Sequence, residues 1–196
     1  MKIGATILAF LFMGALSGCA DARDLRTIRQ TALRLEFERG VCSGTAVGVN
    51  VIATAQHCFD GGGRLIKING KDAYALETVR DGKDHVLVRV SARFKHWAQM
   101  GSQPEQGDRI RWVGQPSGEP DVYRQGYVSR VRDGELWIDA LAFHGDSGAG
   151  LMNDAGQLVG ILYGGRLFAS SAGMRMQLTV ANELAFTAAD WLEIAR

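Results

Sequence analysis

Residues 33–38 alternate strictly, with Leu33, Leu35 and Phe37 set against Arg34, Glu36 and Glu38. Successive side chains on an extended backbone point to opposite faces, so this segment buries its apolar half as a β-strand and not as a helix. Short β-prone runs follow at 41–47, 51–54, 64–68, 86–90, 109–113, 125–130, 135–139, 158–163 and 174–180. Turn chemistry separates them at Val49-Asn50, Gly61-Gly62-Gly63, Asp133-Gly134 and 153–156. Residues 91–106 are polar and aperiodic and read as a connector. After the last strand, Leu184, Ala188, Trp191, Leu192 and Ala195 fall on one face of a helix spanning 182–195. The pattern predicts an all-β chain of two antiparallel units, at about 33–95 and about 107–180, closed by that helix.

The 25 glycines and 3 prolines among 196 residues suit a chain of many tight turns. A net charge of +1 argues against nucleic acid or an anionic membrane surface as the main partner. The first residues do not belong to the fold. Met1-Lys2 precedes an apolar run over 3–16, the pattern of an export signal at 1–18 and too short for a membrane span. Two exits follow. Leu16-Ser17-Gly18-Cys19 resembles the lipobox of bacterial lipoproteins, which would make Cys19 an acylated first residue. Ala20-Asp21-Ala22 could instead be cut to release a soluble chain beginning at Arg23. Residues 19–32 then read as a tether or a short helix, with Leu25 and Ile28 at helical spacing, leading into a body at 33–196. Cys42 and Cys58 remain as an even pair in a compartment that permits disulfides, free buried thiols being the alternative. A bridge between them would contribute about 3 kcal/mol in the chain-entropy model.

Three places carry chemistry. Ser147 lies in His144-Gly145-Asp146-Ser147-Gly148-Ala149-Gly150. Flanking glycines allow the tight backbone by which successive N–H groups converge on one oxygen, although Gly-Asp-Ser-Gly is also an ordinary turn. His57 ends a buried strand beside Cys58, a place that also suits a structural histidine. Asp84 stands at the entrance of the apolar run 86–90, where a carboxylate can fix a histidine tautomer or simply form a turn. Asp81 competes for that role, but it sits in an Asp-Gly turn and does not abut the run.

Together these segments resemble the trypsin-like (chymotrypsin-fold) serine peptidases. Thr54-Ala55-Gln56-His57-Cys58 is similar to that family's histidine block, Asp84-His85-Val86-Leu87-Val88 to its aspartate block, and Gly145-Asp146-Ser147-Gly148 to its serine block. The order His, Asp, Ser is also the family's. The resemblance implies two packed six-stranded antiparallel β-barrels with a cleft between them, and a Cys42–Cys58 disulfide straddling the histidine. It implies Ser147 as nucleophile, His57 as general base and acid, Asp84 as orienting carboxylate, and the N–H groups of Gly145 and Ser147 as oxyanion hole. By alignment, Leu141 falls at the base of the primary pocket, Gly164, Gly165 and Gly173 on its walls, and His144 on its border. With no acidic residue at that base, a small or apolar side chain is expected before the cleaved bond. No metal or organic cofactor is implied. The partners are a protein or peptide substrate and, through a lipid on Cys19, the membrane of the cell envelope. A second reading keeps the same fold as a catalytically inactive, lipid-anchored binding module, and a third is an unrelated β-sandwich adhesin. Two departures stand out. Gln56 occupies a place where the family has a small residue, and no clippable amino terminus precedes Leu33 to pair with Asp146. Activation by N-terminal clipping is therefore not expected.

Overall fold

The computed structural model describes residues 25–169, 175–182, 190, 191 and 194. The expected export signal, Cys19, Gly173 and most of the expected closing helix lie outside the described residues. Of that helix, residues 190, 191 and 194 are helical, while residue 182 still belongs to the last strand.

The chain enters through a helical segment, α1, at residues 25–31. Between the two readings of this stretch, the helix is the one that forms, and Ile28 on it is buried. The first sheet comprises β1 (Ala32–Phe37), β2 (Gly40–Ala46), β3 (Val51–Ala55), β4 (Leu65–Ile68), β5 (Lys71–Asp72), β6 (Ala75–Arg80) and β7 (His85–Val90). Its order is β5-β4-β1-β2-β3-β7-β6. The second sheet comprises β8 (Arg109–Gly114), β9 (Val122–Arg132), β10 (Glu135–Ile138), β11 (Gly150–Met152), β12 (Leu158–Ala169) and β13 (Arg175–Asn182). It closes into a barrel in the order β10-β13-β12-β11-β8-β9. The all-β, two-unit architecture is as expected. The first unit, however, is a half-barrel of seven strands whose end strands β5 and β6 do not pair, rather than a closed six-stranded barrel. β5 has only two residues, both exposed.

Alternation and continuous burial both follow from what covers each face. β1 shows the burial pattern of a strand with one wet face, and Leu33, Leu35 and Phe37 fill the core of the first sheet. β3 is buried throughout. Ile52 and Ala55 enter that same core, whereas Val51 and Ala53 face a second cluster with Val113, Met152, Leu158 and Ile161 of the barrel. β7 divides likewise, with Val86, Val88 and Val90 inward and Leu87 toward the barrel. A strand buried on both faces reads as a continuous apolar run. Each such side chain removed from water contributes about 1.5–3 kcal/mol, so this middle layer fixes the two units against each other. Ile28 of α1 joins it.

One local expectation changes. Gly61-Gly62 reads as loop, yet α2 (Gln56–Gly62) runs through both glycines before Gly63 ends it with φ of 82°. Tertiary packing outweighs the low helix propensity of glycine. The Phe59 ring meets Phe37 edge-on at 5.0 Å, and Cys58 on the same helix is buried and bonded to Cys42.

Candidate active site

β3 passes directly into α2, which places His57 two residues after the strand end. The Cys42–Cys58 disulfide ties the next residue back to β2. Gln56, the residue out of keeping with the histidine block, turns its side chain to Asp60. Its Nε2 donates to Asp60 Oδ2 at 3.1 Å, and its backbone N–H donates to the Asp84 carbonyl at 2.8 Å. The Gln56 side-chain amide and, to a smaller extent, the Arg80 guanidinium hold the Asp60 carboxyl below its usual range.

Asp84 sits at the mouth of β7 with φ of 66°, in the left-handed region that asparagine and aspartate tolerate better than most residues. Its carboxylate engages His57 twice: Oδ1 accepts from the backbone N–H at 2.9 Å and Oδ2 faces Nδ1 at 2.7 Å. A carboxylate only accepts, so Nδ1 carries the proton and Nε2 is left as the basic nitrogen. Asp81 does not reach His57. Its Oδ2 faces Nδ1 of His85 at 2.6 Å, and its Oδ1 accepts from the N–H groups of Lys83 at 2.8 Å and His85 at 3.2 Å.

The serine loop comes from the other unit, between β10 and β11. Gly145 and Gly148 both have positive φ, 98° and 88°. A Cβ on Gly145 would lie 2.1 Å from the Gln115 carbonyl oxygen, and one on Gly148 would lie 2.1 Å from both the Ser43 carbonyl and Thr54 Oγ1. These two positions therefore demand glycine for space as well as for backbone conformation. The loop is sewn down from outside: Ser43 N–H donates to the Ser147 carbonyl at 2.8 Å, Ser43 Oγ to the Gly145 carbonyl at 2.8 Å, and Ser117 N–H to the His144 carbonyl at 2.5 Å. His57, His144, Gly145 and Ser147 line one cleft of about 430 Å³ between the two sheets.

Asp146 is fully buried beneath the loop. Oδ2 accepts from the Phe143 N–H at 2.9 Å, and Oδ1 lies over Gly114, where any Cβ would be 2.1 Å away. Burial pushes its carboxyl above the usual range, opposed by the Phe143 bond and by the Arg124 charge. Arg124 is the partner that the sequence did not disclose. Its Nη1 is 3.7 Å from Asp146 Oδ2 and also donates to the Leu141 carbonyl, while its guanidinium stacks over the Phe143 ring at 4.9 Å. It lies 22 residues before Asp146 on β9, with no local pattern linking the two.

Leu141, expected at a pocket base, is half exposed. Gly164 and Gly165 lie on β12, paired with Val180 and Thr179 after a bulge. These three residues do not line the cleft that holds His57 and Ser147.

Two β units that lend residues to a cleft between them make a chymotrypsin-like fold. A model of the trypsin-like peptidase domain matches residues 42–161, and the chain belongs to that family. Among solved structures the fold is similar to Rv3671c from M. tuberculosis H37Rv in the inactive form of a serine-to-alanine mutant, at 13% identity and a TM-score of 0.70, covering 91% of this chain and 93% of that one. The Rv3671c protease in its inactive form matches at 13% identity and a TM-score of 0.67, covering 92% and 96%. The serine endoprotease from Yersinia pestis matches at 19% identity and a TM-score of 0.71, over 88% of this chain and 65% of that chain.

Proposed function

We propose that the protein is a serine endopeptidase that cleaves peptide bonds through an acyl-enzyme on Ser147. The observation that carries this reading is the doubly bonded His57–Asp84 pair in the same cleft as the glycine-flanked Ser147. Ser147 Oγ attacks the scissile carbonyl while His57 Nε2 takes its proton and then passes it to the leaving amine. Asp84 holds the tautomer and offsets the charge of the imidazolium. The N–H groups of Gly145 and Ser147 receive the oxyanion, each donor typically contributing about 2.7–4 kcal/mol. The Arg124–Asp146 pair supports a loop that works without a newly cut amino terminus. By the family alignment alone, which sets Leu141 and no carboxylate at the pocket base, a small or apolar side chain is selected before the cleaved bond; a peptide library tests this, and strict selection of Arg, Lys or Glu would refute it.

The signal-like pattern at residues 1–18 and the cysteine bridge support an exported protein of the cell envelope, and the lipobox-like Leu16-Ser17-Gly18-Cys19 supports a lipid anchor at Cys19. Mass spectrometry of the mature amino terminus decides between an acylated Cys19 and a free Arg23. For the chemistry, a fluorophosphonate probe is applied to the exported protein beside Ser147→Ala and His57→Ala. Labelling of the parent alone is expected. Equal behaviour of parent and Ser147→Ala would end the enzyme reading.

A further inference from the structure

We infer that Ser43 is a positioning residue for the oxyanion hole: a buried hydroxyl on one sheet that sets the backbone of the serine loop carried by the other. The inference deepens, and rests on, the serine-peptidase reading.

Ser43 follows Cys42 on β2 and is fully buried. Its backbone N–H and hydroxyl both serve the opposite unit. The N–H donates to the Ser147 carbonyl at 2.8 Å. The hydroxyl lies 2.8 Å from the Gly145 carbonyl and 3.0 Å from the Gln115 N–H. A carbonyl only accepts and an amide N–H only donates, so the single hydroxyl proton points at Gly145 and the oxygen receives Gln115. Thr54 Oγ1 completes the set by donating to the Ser43 carbonyl at 2.7 Å.

The two carbonyls that Ser43 holds belong to Gly145 and Ser147, the residues whose N–H groups would bind the oxyanion. A trans peptide is planar, with its C=O and N–H pointing in opposite directions. Ser117 N–H holds the His144 carbonyl at 2.5 Å, which fixes the direction of the Gly145 N–H in the same peptide plane. Ser43 holds the next plane through the Gly145 carbonyl. Gly145 lies between two anchored planes with φ of 98°, although glycine is the residue that could most easily rotate out of place. Gln115 links the two anchors, because its N–H binds Ser43 Oγ and its carbonyl accepts from the Gly118 N–H of the turn that carries Ser117. Removing the hydroxyl releases one of the planes and leaves the backbone N–H of buried Gln115 without its acceptor.

The test compares the full exported chain with Ser43→Ala, Ser43→Gly and Thr54→Val, each checked for folding by circular dichroism and melting temperature. Thr54→Val is the structural control, since it cuts a bond to the same Ser43 carbonyl and leaves the hydroxyl in place. The readouts are the second-order rate of fluorophosphonate labelling and the kcat and KM for p-nitrophenyl acetate. Ser43→Ala is expected to lower the labelling rate and kcat by about 10-fold, less than the loss of a whole donor, with KM changed by under about threefold. Thr54→Val is expected to lose melting temperature and keep its labelling rate. If Ser43→Ala does not fold, Ser43→Gly lacks the same hydroxyl and is read in the same way. Parent-like rates in a folded hydroxyl-free variant overturn the inference, as does an equal rate loss in Thr54→Val. A parent that fails to label at all overturns the peptidase reading and this inference with it.

Discussion

Two histidine–aspartate pairs are interleaved in the chain, and the two contacts between their partners are alike in kind. In His57–Asp84 the ring Nδ1 meets a carboxylate oxygen at 2.7 Å while the histidine N–H donates to the other oxygen at 2.9 Å. In His85–Asp81 the same two distances are 2.6 Å and 3.2 Å. They differ in burial. The side chains of the first pair are 46% and 30% exposed, those of the second 0% and 0%. A histidine half open to a cleft can exchange a proton with something that enters it. One enclosed by β-sheet can only hold structure, and here it ties down the turn that presents Asp84. On the proposed reading the same histidine–aspartate contact serves two ends, and surroundings decide which.

This contrast can be broken or sharpened by experiment. The largest effect is expected from Asp84→Asn, which leaves a similar shape but permits the wrong tautomer. Hydrolysis of p-nitrophenyl acetate should fall about 10⁴-fold in kcat with the melting temperature nearly unchanged. Asp81→Ala should do the reverse, costing about 1.5–3 kcal/mol in denaturant unfolding because it removes the carboxylate that bonds buried His85. If it instead abolished turnover in a stable protein, the division between the two pairs would be wrong. Arg124→Met should lower the fluorophosphonate labelling rate by about 10-fold, since the loss of one charge-assisted contact is worth about 1.5–3 kcal/mol and only part of it reaches the loop. The smallest effect is one of pH. Burial raises the Asp146 carboxyl above its unfolded value of 3.8, so its ionised form costs stability, in full above the folded pKa. That cost falls away as pH drops toward the unfolded value. Parent protein should therefore gain stability relative to Asp146→Asn on mild acidification, read from unfolding curves at a series of pH values.

Most of the strands were legible because period-two burial writes itself into residue order, as in 33–38. The runs at 51–55 and 86–90 were legible as strands too, but their double-sided burial depends on a barrel packed behind them, which no local pattern announces. β5, β6 and β11 escaped notice: β5 has two residues and β11 three, and β6 carries apolar and polar residues on both faces, with Val79 buried and Leu76 exposed. The glycines within α2 misled for a related reason, since the contact that stabilises the helix is with Phe37 on another element. At the site, the residues with reactive side chains stood out by type and order. Those that hold them did not. Ser43 and Arg124 act through backbone carbonyls and a charge contact across the fold, and nothing in their neighbours in sequence marks them.

The left-handed backbone at Asp84 carries a consequence for how this position can vary. Only a short polar residue or glycine takes φ of 66° readily, while the role proposed for His57 calls for a carboxylate. A saturation library at codon 84 sorted for folded protein should therefore return aspartate, asparagine and glycine, and the same library sorted for turnover should return aspartate alone. Glutamate, which has the right charge, should fail both selections because of its backbone. Chemistry and conformation thus impose separate filters on one codon, and a single residue passes both.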